Sequence, residues 1–297
     1  MSKTPLTASR RATVNGLLFA SPWLIGLSVF VAYPIAASLY YSFCDFDAIR
    51  PPHWVGLANY RELLGDSTFH DAAVHTLVFV LGYLPIVFVG GLVAALLLNR
   101  HIPERGLLRT LFFMPVVTSW VAVALVWRWL LNPGYGIVNY VLGSLHLPTP
   151  GWWLDPHWAM PSVIIASSWK DIGYTMLILL AGLQAIPREY YESASIDGAS
   201  AWAQLRKITL PLLTPQILIV IVISIINNAQ VFEQVWVMTD GGPEGATSTV
   251  VEQIVRNSFA YGRMGYASAQ SVLLFLVILL ITWVQLRLQK RWVHYDA

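Results

Sequence analysis

Polar and apolar positions in this chain separate into long charge-free stretches divided by short charged segments. Residues 12–44, 72–99, 110–127, 208–232 and 264–286 contain no Asp, Glu, Lys or Arg. A sixth stretch, 160–186, is apolar but interrupted by Lys170 and Asp171. A helix needs roughly 20 apolar residues to cross the hydrocarbon core of a bilayer. The pattern therefore predicts six transmembrane helices, over 14–42, 74–99, 109–131, 160–186, 212–238 and 265–288. The expected fold class is all-α, a polytopic membrane protein. Its expected organisation is an N-terminal segment 1–13, a six-helix domain 14–288 and a C-terminal segment 289–297.

Composition supports this. Only 11% of residues are charged and 56% are hydrophobic, with a mean hydropathy of +0.59. A soluble domain carries about 25% charged residues, and half that density cannot coat a globule of this size. The same figures exclude a disordered or collagen-like chain. The single cysteine, Cys44, excludes an internal disulfide and a thiolate metal cluster. A net charge of +2 gives no reason to expect nucleic acid. The 13 Trp, 13 Tyr and 12 Phe suit aromatic belts at membrane interfaces, with lipid as the neighbour. The first span follows Lys3, Arg10 and Arg11 but far exceeds a signal-peptide core of about 7–15 residues. It reads as an uncleaved anchor.

Loop charges set the orientation. Basic residues gather in the N-terminus (Lys3, Arg10, Arg11), loop 2–3 (Arg100, Arg105, Arg109), loop 4–5 (Arg188, Arg206, Lys207) and the C-terminus (Arg287, Lys290, Arg291). The opposite side holds Arg50, Arg61, Arg256 and Arg263 together with most of the acids. Both termini are expected in the cytoplasm. Loop 132–159 has no Lys or Arg and several Trp and Tyr, which suits a short amphipathic piece at the outer interface. Arg128, near the outer end of the third span, is expected to snorkel to the headgroups.

The most informative loop is IPREYYESASIDGASAWAQLRKITLP, residues 186–211. Pro187 suits the start of a helix. Residues 188–196 and 200–207 read as two short helices broken at Asp197-Gly198, where glycine permits a sharp bend. Such a helix–Gly–helix unit has no catalytic constellation and reads as a docking element. Glu192, Ala194 and Gly198, then nine residues, then Ile208, Leu210 and Pro211 meet the spacing E-x-A-x-x-x-G…I-x-L-P. This resembles the EAA loop of permease subunits in bacterial binding-protein-dependent ABC importers, with Ser193 where alanine is usual. FASPWLIGLSVFVAYPIAASLYYSF, VGLANYREL, RTLFFMPVV, VWRWLLNPGYGIVN and VMTDGGP are similar to the carbohydrate-type branch, the maltose and glycerol-phosphate systems.

The resemblance implies a permease in the bacterial cytoplasmic (inner) membrane, with loop 187–211 coupling to an ATPase. It implies a second permease subunit of the same family, two ABC ATPase subunits and an extracytoplasmic solute-binding protein as partners. The solute is expected to be a sugar or a related polyol or sugar phosphate. This chain is expected to bind no cofactor, ATP and Mg being used by the partner ATPase. It has no G-x-x-x-x-G-K-[ST] sequence. Its nearest Gly-rich piece, GGPEGATST at 241–249, lacks the lysine that would reach phosphates and reads as a turn-rich loop.

Polar residues inside spans invite functional readings. The fourth span carries Ser167, Ser168, Lys170, Asp171 and Tyr174; the fifth carries Ser224, Asn227, Asn228, Gln230, Glu233 and Gln234. Asp171 and Asn228, like Tyr174 and Ser224, fall at matching depths of about 15–21 Å from the outer ends, near mid-membrane. The solute path is therefore expected to include Ser168, Asp171, Tyr174, Ser224, Asn227 and Asn228. By the resemblance, Tyr174, Ser224 and Asn228 match polar cavity positions of maltose-type permeases, whereas Asp171 replaces a small residue. Lys170 and Asp171 are neighbours and cannot share one face, and one of them is expected to pair with Glu233 or with the partner subunit.

His53, His70, His75, His101, His146, His157 and His294 show no i, i+4 spacing, so no metal site is expected, and no catalytic residue either. The alternatives are an ion-coupled secondary transporter, which would show internal repeats not seen here, and a membrane enzyme. The nearest carboxylates for the latter, Asp45 and Asp47, read as a polar exit from the first span.

Overall fold

The computed structural model describes residues 5–100 and 103–293. Lys3, His101 and His294, which entered the charge and histidine arguments, lie outside the described residues. Two compact units are present. One takes the residues up to Gly65 together with Ile254–Leu273; the other takes Asp66–Gln253 and the residues from Leu274 onward.

The first unit begins with α1 (Pro5–Leu27) and α2 (Tyr33–Tyr41), joined without a break by a wide π-type turn at Ser28–Ala32. Pro34 lacks the N–H that a regular turn would use here, and the wider turn absorbs that loss. The 15–41 stretch is long and apolar enough to span, as expected from 14–42. A short antiparallel pair follows, β1 (Cys44–Asp45) and β2 (His53–Trp54), then α3 (Ala58–Gly65). Asn59, in the VGLANYREL segment, explains this corner. Its Nδ2 donates to the carbonyls of Ser42 (3.0 Å) and Cys44 (2.9 Å), acceptors freed where α2 stops. Asp47 lies in the loop between the strands. Its carboxyl is held below the usual carboxylate range by the backbone N–H groups of Arg50 and Ile49.

In the second unit α4 (Ser67–Asn99) starts seven residues before the expected 74. Asp66 is the reason: its side chain accepts from Thr68 N–H (2.9 Å) and caps the helix. Asp155 does the same for α8 (Pro156–Ala185), accepting from His157 N–H (2.8 Å). α4 and α8 form the main helix pair, closely approached because Gly91 leaves room for Thr175. One buried cluster joins Phe79, Tyr83 and Val87 of α4 to Met160, Val163 and Ala166 of α8; another joins Ala95 and Leu98 to Met176, Leu179 and Leu183.

Two spans expected as continuous helices are broken. The third, expected over 109–131, is α5 (Arg105–Val117) and α6 (Trp120–Leu130), bent by 99°. Pro115 cannot donate to the preceding turn, and Thr118 and Ser119 turn to extended backbone, with ψ 141° and 138°. The fifth, expected over 212–238, is α12 (Thr214–Asn228), a non-helical step and α13 (Glu233–Met238). There Asn228 and Gln230 turn their side-chain amides back onto the carbonyls of Ser224 and Ile226, competing with the helix ladder. The short outer piece expected in loop 132–159 is α7 (Ile137–Ser144). Arg128, expected at the headgroups, is half-buried against protein. Its Nη1 donates to the Val237 carbonyl (3.1 Å) and its guanidinium lies 4.5 Å from the Trp153 ring.

The loop after the fourth span forms α9 (Arg188–Ile196), α10 (Ala201–Gln204), a wide turn Leu205–Thr209 and α11 (Leu210–Leu212), with a 66° bend before α12. The 241–249 segment is turn-rich, as expected, and precedes α14 (Val250–Val255). α15 (Met264–Leu288) matches the expected sixth span. Among the described residues four helices are long and apolar enough to span, or up to six if each bent pair counts as one.

Gly173 of α8 tests the α5–α8 contact. A Cβ there would fall on the carbonyl of Phe112, which is backbone and cannot swing aside. Gly173→Ala should destabilise the purified protein by about 1–3 kcal/mol, read as earlier thermal loss of the monodisperse peak in detergent. Gly16→Ala, where a Cβ meets nothing, should leave that profile unchanged.

Candidate functional site

A cavity of about 600 Å³ opens between α8, α12, α13 and the α5–α6 break. Five of the six expected path residues stand on its wall: Asp171 and Tyr174 from α8, and Ser224, Asn227 and Asn228 from α12. The depth match between the two spans is thus realised as a shared wall. Ser168 is the exception. It is buried, does not line the cavity, and its hydroxyl has no hydrogen-bond partner among the described residues. Three residues per repeat fall short of the 3.6 of a helical turn, so Ser168 and Tyr174 diverge in direction.

The wall also contains groups that sequence reasoning missed. Tyr83 of α4 donates from its hydroxyl to Asp171 Oδ2 (2.9 Å), tying the carboxylate to a helix 88 residues away. Lys170 interacts electrostatically with Asp171 and Glu233 and also binds backbone. Its Nζ donates to the Val116 carbonyl (2.7 Å), the acceptor released by the α5–α6 break, and lies 5.0 Å from the Trp120 ring. Lys170 is 5% exposed, so this pairing accounts for a charge that could not otherwise be buried. Only Pro115 hinted at the break, and nothing local connects it to Lys170.

Ser224 and Asn228 are 9% and 6% exposed, yet both line the cavity. Asn228 Nδ2 donates to the Ser224 carbonyl (2.9 Å). Tyr174 and Asn227 present more open side chains. The wall therefore offers hydroxyls, amides and carboxylates around an opening large enough for a small organic ligand.

The second element is the α9–α10 loop. Gly198 has φ +76° and follows α9 as its left-handed stop. Ala199 N–H donates to the Ala194 carbonyl (2.9 Å) and Gly198 N–H to that of Ser195 (3.1 Å), a Schellman ending. Ser200 then caps α10, accepting from Ala203 N–H. Ala194 thus contributes a carbonyl to the bend, while Glu192 is exposed on α9. Ile208 lies in the wide turn, and Leu210 and Pro211 form α11 at the bend into α12. Tyr191 and Thr209 hydrogen-bond across the element (3.0 Å). Ile196 and Trp202 stand 87% and 69% exposed on it.

A helical membrane-spanning chain with a polar mid-span cavity and a helix–Gly–helix loop defines a membrane permease. The sequence pattern of the family described as "Binding-protein-dependent transport system inner membrane component" matches residues 63–294, and the chain belongs to that family. It is 34% identical to the trehalose/maltose transport system permease protein MalF of Thermococcus litoralis, over 93% of each chain. It is 35% identical to a probable ABC transporter permease of Pyrococcus horikoshii, over 89% of this chain and 92% of that one. Its fold superposes with TM-score 0.83 and 25% identity on a bacterial ABC transporter that imports the acidic polysaccharide alginate, covering 96% and 99% of the two chains. The chain is therefore an inner-membrane permease component of an ABC importer, and an ion-coupled transporter finds no support.

The Tyr83–Asp171 bond can be isolated. Tyr83→Phe keeps the ring against Phe79 (5.8 Å) but removes the donor. In a double-mutant cycle with Asp171→Asn, thermal stability should show a coupling of about 1.5–3 kcal/mol, the range for a hydrogen bond to a charged group. Strict additivity would show that the bond contributes nothing.

Proposed function

We propose that this chain forms half of the translocation path for a hydroxyl-rich solute of the sugar class, delivered by an extracytoplasmic binding protein. One observation carries the reading: five polar side chains from α8 and α12 converge on one mid-span cavity in a chain of this family. Hydroxyls and amides are the groups that exchange hydrogen bonds with sugar hydroxyls. The maltose- and alginate-transport relatives support the sugar class.

A second permease of the same family supplies the other half of the path, and two ABC ATPase subunits bind ATP and Mg. The supporting observation is the α9–α10 element, whose exposed Ile196 and Trp202 fit a docking surface better than open water. Glu192 meets a basic group of the ATPase. The basic loops support an orientation with both termini in the cytoplasm and this element on the ATPase side. The domain limits 14–288, with cytoplasmic segments 1–13 and 289–297, follow from the same orientation.

Two variants in the reconstituted transporter test this reading. Asn228→Ala removes a cavity group, and a lost hydrogen bond of about 0.5–1.5 kcal/mol should reduce uptake several-fold with complex yield retained. Lost yield would make Asn228 a structural residue, and normal yield with normal uptake would remove it from the path.

Gly198→Val places a β-branched residue at φ +76° where no neighbour obstructs the side chain, so its effect is purely on the bend. ATP hydrolysis should become independent of solute while uptake falls. Gly198→Asn, which tolerates the left-handed region, should retain most uptake. Normal uptake by the valine variant at normal expression would count against docking through this bend.

A further inference from the structure

The charged groups on the cavity wall are unequally engaged. Among the described lining residues Lys170 is the one cation, and Asp171 and Glu233 are the anions. Lys170 already serves the Val116 carbonyl and the Trp120 face. Asp171 receives the Tyr83 hydroxyl. Glu233 stands exposed at the start of α13, where its charge interacts with that of Lys170, and among the described residues no hydrogen bond or ion pair within 4 Å holds its carboxylate. Beside these charges the Ser224 hydroxyl, in a side chain nine-tenths buried on the wall, has no partner among the described residues. The wall thus offers hydroxyls, amides and two carboxylates against a single ammonium that a carbonyl and an indole already attract.

We infer that this half of the path selects against anionic solutes and takes neutral or amino-bearing sugars, rejecting uronates and sugar phosphates. The inference rests on the reading of the cavity as the solute path. A phosphate or carboxylate would need an unengaged ammonium or guanidinium to replace its hydration. Lys170 is the only ammonium to set against two carboxylates on this wall, and it is already drawn to the Val116 carbonyl and the Trp120 face. An anion would also meet the Glu233 and Asp171 charges at short range, which at a protein-like dielectric disfavours it by about tenfold or more. A protonated amino group would instead find Glu233 as a charge-assisted acceptor.

The test uses the assembled transporter in lipid nanodiscs without its binding protein, so that the permease path alone reads the ligand. Saturation-transfer NMR compares methyl glucoside, glucosamine and glucuronate at equal concentration. The expected result is transfer to the first two at least about fivefold above glucuronate, corresponding to about 1 kcal/mol. Glu233→Gln should raise the ratio of glucuronate to methyl glucoside by about threefold or more, and Asp171→Asn, which preserves the side-chain shape, provides a second variant in the same direction. Equal transfer to all three probes, or a ratio unmoved by both variants, overturns charge selection while leaving the path reading standing. Absence of transfer to every probe, unchanged by Asn228→Ala, overturns the path reading and this inference with it.

Discussion

A backbone carbonyl that leaves its helix inside a membrane has no water to accept from and must find a donor within the protein. This constraint organises the second unit. The α5–α6 break releases the Val116 carbonyl, and Lys170 of α8 reaches it. The break after α12 is held by Asn228 on Ser224, by Gln230 on Ile226 and by the Thr249 hydroxyl on the Val231 carbonyl (3.0 Å). Near the end of α13, Val237 offers its carbonyl to Arg128. Each interruption of a span is matched by a polar side chain that would be costly to bury without that carbonyl. The polar residues and the breaks therefore account for one another.

The spans were legible because the signal is coarse. A charge-free stretch of membrane length reads the same whether its helix is straight or bent, and the six stretches reappear with ends displaced by a few residues. Starts were misplaced where a cap decides them: Asp66 and Asp155 extend α4 and α8 upstream of their apolar runs. The breaks were not legible from hydropathy, because apolar content does not change across Thr118-Ser119. Pro115 and the Asn227-Asn228 pair were the local hints. Whether a proline kinks a helix or ends it depends on what can receive the freed carbonyl, and here the receiver lies 54 residues away.

The two functional elements differ in legibility for the same reason. The α9–α10 bend is a local device. Gly198 at the left-handed position, Ser200 at the next cap and Ala194 as acceptor lie within seven residues of one another, so spacing alone described it. The cavity wall is assembled from distant elements. Matching depth along α8 and α12 grouped Asp171, Tyr174, Ser224, Asn227 and Asn228, which share one cavity wall. It grouped Ser168 with them, which lies off that wall because depth does not determine direction, and it could not find Tyr83 on α4.

The division of labour on that wall follows from the constraint on the carbonyls. Lys170 gives a donor to backbone, and Tyr83 gives its hydroxyl to Asp171. Asn228 is intermediate, with its amide N–H on its own helix and the side chain still on the cavity. Tyr174, Ser224, Asn227 and Glu233 keep groups that no described neighbour claims. A ligand in the cavity competes first for these, since displacing the others would cost the hydrogen bonds that hold the broken helices in place. Recognition in this site is thus set less by which polar residues are present than by which are released from holding the broken helices together.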